Sequence, residues 1–202
     1  MIAYHCNTNK ILHATFANRK DKHRIAVYNS IMTRLAKSGH TVNRQILDNK
    51  FSAEYKRIIE EKWKATYQIV PPNVHHRNIA ERAIFTFKAH FLSILAGVDP
   101  EFPKFMWDKL LDQTEITLNL LRQTTLNLRI SAWEFFNVPF DFIETHLGPI
   151  GYKVIIHERT NTQKSWYQRG QEGYNIDPAI ENYQYFSVID KQTKELRVSD
   201  TV

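Results

Sequence analysis

At 202 residues, 43% of them hydrophobic and 24% charged, the chain suits one domain of ordinary size, or one domain with a small appendage, and has enough apolar material for a core. Its single cysteine, Cys6, excludes an internal disulfide and a multi-cysteine zinc site, and there is neither a membrane-length apolar run nor a signal peptide, so an intracellular location is expected, with the nucleus open if the source is eukaryotic. The net charge of +6 is uneven: residues 1 to 50 hold nine Lys or Arg against Asp21 and Asp48, a surplus of seven that fits phosphate attraction and equally fits a solvated helix face.

Taken in order, two short apolar runs, 1–6 and 10–16, are separated by Asn7-Thr8-Asn9 and read as a β-hairpin, with Cys6 filling the strand interior. Ile25, Tyr28, Met32 and Leu35 then recur at helical spacing from Asp21 to about Lys37, and Gly39 is a stop. Thr41 to Leu47 is expected to be a strand ending at Asp48. Ser52 is a natural N-cap for a helix carrying Tyr55, Ile58, Ile59 and Trp63. Ala65 to Val70 is a further strand, closed by Pro71-Pro72.

From Asn78 to about Ala96 the apolar stripe Ile79, Ala83, Phe87, Phe91, Ile94, widened by Ile84 and Leu95, predicts a long amphipathic helix. Another helix is expected from Phe102 to about Gln123, and a short one after the cap Ser131. Trp63, Trp107 and Trp133 fall on apolar faces and are expected in the core. Beyond Val138, glycine turns separate short apolar runs near 152–157, 168–174, 183–188 and 195–198, which read as a small β module. The pattern as a whole is α/β, with a boundary expected between 1–138 and 139–202.

Two acids invite a chemical reading. Asp48 follows a strand end, and Glu81 opens the long helix 33 positions later. Two-metal phosphoryl-transfer sites draw carboxylates from different elements in this way, although a turn aspartate and a solvated helix glutamate would look the same. On a helix, Arg77, Glu81 and Lys88 share one side, away from the apolar stripe, which suits either a phosphate-binding face or a simple Arg77–Glu81 ion pair. His75-His76 reads as a surface pair, and Trp166 beside Lys164 and Arg169 either packs in the β module or stacks on a base.

The run His76-Arg77-Asn78-Ile79-Ala80-Glu81-Arg82-Ala83-Ile84, after Val70-Pro71-Pro72 and before Thr86-Phe87-Lys88, resembles the Asn-x-Ala-Glu-Arg signature in the integrase core of copia-type retrotransposon polyproteins. Leu47-Asp48-Asn49 is similar to that family's second-aspartate motif. Phe102-Pro103, Trp107-Asp108, Thr117 to Arg122, Ser131-Ala132, Ser165-Trp166, Gly173-Tyr174 and Ser199-Asp200-Thr201 extend the likeness over nearly the whole chain.

The resemblance implies an RNase H-like mixed sheet with helices, Mg²⁺ chemistry and DNA strand transfer by an Asp, Asp, Glu triad. Asp48 and Glu81 would be its second and third members, as catalytic and metal-binding residues, and Arg77, Asn78, Arg82 and Lys88 would contact DNA. By the same likeness the residues start at the second strand, so the strand bearing the first aspartate is not among them. Lys50 and Asp177 depart from the pattern. The expectation is a nucleic-acid-binding, integrase-like chain with little or no strand-transfer activity, with DNA as partner and homo-oligomerisation open. The alternatives are part of an active integrase whose first strand lies upstream and a co-opted protein-interaction domain. Loss of the central strand would leave its neighbours either pairing with each other or short of ladder partners.

Overall fold

The computed structural model describes residues 1–47, 51–70, 79–157 and 170–200. The α/β expectation holds, with four α-helices and three open sheets among the described residues. None of the described helices is long and apolar enough to cross a membrane. The chain divides into two compact units: 1–87 with 122–137, and 88–121 with 138–202. The helical stretch 88–121 therefore groups with the C-terminal strands.

In the first unit, β1 (Ile2–His5) and β2 (Lys10–His13) form the expected antiparallel hairpin, with Ile2 opposite His13 and His5 opposite Lys10. Asn9 takes a left-handed φ of 59°, which asparagine tolerates, and its Oδ1 accepts from the Tyr4 hydroxyl at 3.1 Å. Because β1 ends at His5, Cys6 falls in the turn and is exposed, not the strand filling that apolar alternation suggested.

Helix α1 (Asp21–Lys37) has the bounds its periodicity predicts. It stops at Gly39, whose φ of +76° suits a residue without Cβ, and the Gly39 and His40 amides donate back to Ala36 and Leu35. Its inner face (Val27, Tyr28, Ile31, Met32, Leu35) packs with Leu12, Leu47, Tyr55, Ile59, Ala65 and Phe136. Each large apolar side chain so buried contributes about 1.5–3 kcal/mol.

Strand β3 (Arg44–Leu47) and β4 (Thr66–Ile69) are parallel, joined through α2 (Ala53–Glu61). Ser52 caps α2 as expected, its hydroxyl accepting from the Tyr55 amide at 3.3 Å. Trp63 is half-buried against the same core and donates to Asn29 at 2.8 Å.

Both pairing senses of the expected mixed α/β arrangement are present, antiparallel in β1–β2 and parallel in β3–β4. Among the described residues β1 pairs only with β2 and β3 only with β4, so the antiparallel and parallel pairs are separate sheets on one core.

Residues 122–137 complete this unit. The short helix expected after Ser131 is instead a run of turns. Its cap is nonetheless formed: Ser131 Oγ accepts from the Glu134 amide at 3.1 Å, and Glu134 Oε2 accepts from the Ser131 amide at 2.8 Å. Too few residues follow before Val138-Pro139 for a helix to propagate. Trp133 is partly buried, its ring beneath Lys10 Nζ at 5.1 Å.

In the second unit, the helix expected from Phe102 onward is in two pieces. A 3₁₀ helix (Lys104–Leu110) precedes α4 (Leu111–Leu121). Met106 leaves helical geometry (φ −95°, ψ 15°) just before Trp107, which is 48% exposed and so not the core residue its spacing suggested.

The C-terminal strands β5 (Lys153–His157), β6 (Gly170–Pro178), β7 (Phe186–Asp190) and β8 (Leu196–Ser199) make an antiparallel meander in sequence order. One face buries Tyr174, Ile176 and Ile189 against Phe102, Leu110 and Ile150, and the Tyr174 hydroxyl donates to the Glu101 carbonyl at 3.0 Å. Lys191 Nζ lies 2.8 Å from carboxylates of both Glu101 and Glu172, and Lys153 reaches the same two. Those hydrogen bonds and charges hold Glu101 and Glu172 below the usual carboxylate range.

Candidate nucleic-acid interface

The helix that follows β4 is α3 (Ile79–Gly97), a single run of 19 residues. Ala83 and Phe87 are its buried anchors, with Ile84, Phe91, Ile94 and Leu95 half-buried, so most of the apolar stripe read from the sequence is the packed side. Ile79 is the exception, 48% exposed in the first turn. The Thr86 and Ser93 hydroxyls donate back to the carbonyls of Arg82 and Ala89.

Glu81, Arg82 and Lys88 are all exposed. A helix advances about 1.5 Å per residue, so Arg82 and Lys88 stand about 9 Å apart along the axis. Glu81 sits in the first turn, where a carboxylate also complements the positive end of the helix dipole. Asp48, Arg77 and Asn78 lie outside the described residues, as do His75, His76 and Trp166. The structure thus brings Glu81, Arg82 and Lys88 onto the solvent side of one helix.

His90, two residues after Lys88, adds no positive charge near neutral pH. Burial holds its imidazole below the ordinary value, and it shares a hydrogen bond of 2.9 Å with Thr117. The basic first quarter is also less available than its surplus suggested. Lys10 is buried at 3% exposure, its ammonium over Phe136 and Trp133 at 4.4 and 5.1 Å. Arg34 donates to the His13 carbonyl at 3.0 Å, and Arg24 lies over Phe51. Arg19, Lys20, Lys22, Arg34, Lys37 and Arg44 remain at the surface.

No family model matches the chain, and no curated protein matches it. Among solved structures it is similar to a chain in the cryo-EM structure of the simian T-cell lymphotropic virus intasome in complex with PP2A regulatory subunit B56 gamma. Identity is 13% and the TM-score 0.48, covering 98% of this chain and 73% of that chain. At that score and identity the likeness is too slight to assign a function.

A two-metal site needs several oxygen donors converging on ions a few ångströms apart. Among the described residues no group of three or more His, Cys, Asp or Glu could hold a metal ion, and Glu81 is the one motif acid described. Asp48, the other acid of the motif, lies outside the described residues.

Sequence reasoning missed Phe85. It is 73% exposed on the solvent side of α3. Its signal was available: Phe85 lies off the apolar stripe and three residues from both Arg82 and Lys88, the spacing of one helical face.

Proposed function

We propose that this chain is an integrase-like nucleic-acid-binding protein that grips phosphate backbone through α3 and the exposed cations of its first 50 residues. Residues 1–202 alone carry little or no strand-transfer activity. The observation supporting the reading is that Arg82 and Lys88 stand exposed on α3, opposite the buried Ala83 and Phe87, within the stretch that resembles the integrase signature. Exposed cations exchange counterions for phosphates, so affinity falls steeply as salt rises.

The test is titration of a labelled duplex at low and at near-physiological salt. Binding is expected at low salt and should weaken as salt rises. Arg82→Ala and Lys88→Ala should each lower the slope of log affinity against log salt by about 1. Absence of binding at low salt would sink the reading. In a strand-transfer assay with Mg²⁺ present, no product above background is expected. Robust activity abolished by Glu81→Gln would overturn the inactive part of the proposal.

A further inference from the structure

Phe85 is exposed at 73% in the interior of a 19-residue helix whose seating is supplied by Ala83 and Phe87. Packing therefore does not call for an aromatic ring at this position. Its neighbours on the helix surface are the exposed cations Arg82 and Lys88, three residues before and three after, and the exposed Glu81, four before. A flat apolar ring with a positive charge one turn to either side is complementary to a partner that is anionic along its backbone and aromatic along its edge.

We infer that Phe85 is a base-stacking contact and that α3 takes single-stranded or unpaired nucleic acid, with phosphates on Arg82 and Lys88. The inference rests on the nucleic-acid reading above and narrows its substrate. Single strands follow from the ring itself. In a duplex the base faces are covered by their neighbours, and inserting a ring there costs a few kcal/mol of unstacking that an unpaired base does not demand. Stacking is sequence-tolerant because every base has a π face, so no base preference is expected from Phe85.

The experiment uses the full chain and two probes, a fluorescently labelled mixed-sequence 20-nucleotide DNA strand and its duplex, titrated by anisotropy at two salt concentrations. The wild type should bind the single strand more tightly than the duplex. Phe85→Ala should weaken single-strand binding roughly ten-fold or more while leaving duplex affinity and the salt slope unchanged. Phe85→Trp should restore it, and Phe85→Leu, apolar but unable to stack, should not. A 2-aminopurine in the strand should be quenched by the wild type and by Phe85→Trp only. Because the ring is exposed, far-ultraviolet circular dichroism of every variant should match the wild type.

Loss of affinity in Arg82→Ala with none in Phe85→Ala would overturn the stacking role and leave the nucleic-acid reading standing. No binding to either probe by the wild type would remove that reading and this inference with it. Self-association of the wild type that disappears in Phe85→Ala, with single-strand binding unchanged, would overturn the inference by giving this face to a second copy of the chain.

Discussion

Gly173→Ala is expected to destabilise the second unit by about 3 kcal/mol, the upper part of the range for inserting a carbon into a packed interior. Gly173 lies in β6, opposite Val154 of β5 and Asp190 of β7. A Cβ built there would stand 2.4 Å from Ile156 Cδ1 and 2.7 Å from the Ile189 carbonyl oxygen. The two obstacles differ in kind. Ile156 can swing its terminal methyl aside, but the Ile189 carbonyl belongs to the neighbouring strand and cannot retreat without disturbing the β6–β7 ladder. Trimming Ile156 to Val in the same chain should therefore return only a minor part of the loss. Urea unfolding gives the magnitude, and hydrogen exchange locates it: protection should fall in β6 and β7 before it falls in α1. A loss under about 0.5 kcal/mol with unchanged protection would mean that the ladder yields more easily than a two-sided backbone constraint allows.

The elements that could be read from the sequence are those whose signals are local. The hairpin turn at Asn7-Thr8-Asn9, the Ile25–Leu35 periodicity with its Gly39 stop, and the Ser52 cap each carry their cause within a few residues. The solvent side of α3 was legible for the same reason, since Glu81, Arg82 and Lys88 lie off the apolar stripe.

What escaped depends on distant partners or on the choice between related backbone forms. Lys10 is inside because Trp133 and Phe136, more than 120 residues away in sequence, supply two ring faces for its ammonium. Trp107 has apolar spacing, yet no periodicity separates an α-helix from the 3₁₀ turn and kink that leave it half in water. The division into separate antiparallel and parallel pairs is a property of strand partners, which alternation within one strand does not specify. Of the candidate site, the cations could be read from helix spacing. The aromatic between them carries no periodic signal, because a single apolar residue off the stripe has no periodicity of its own.

Asp177→Asn is expected to stabilise the protein at neutral pH, and to do so only there. Asp177 lies in β6 just past the bulge, opposite Ser187. Burial pushes its carboxyl up to about 6 from an ordinary 3.8; the hydrogen bond from Ser187 partly offsets this, and the Asp112 carboxylate adds to the rise. The folded state thus holds this proton more tightly than the unfolded chain does. Stability should be greatest below about pH 4, fall as pH rises through the window from 4 to 6, and level off above it. The charged form costs about 2 kcal/mol at pH 7.5, after discounting for the part of the group that water still reaches. Asparagine removes the charge and keeps a polar partner for Ser187, so the variant should gain about 1–2 kcal/mol at pH 7.5 and nothing near pH 3.5. Urea unfolding of both chains across that range is the measurement. A difference that stays constant with pH would mean that the gain comes from packing or hydrogen bonding and not from the buried charge. A difference with the opposite slope would place the carboxylate in a stabilising contact.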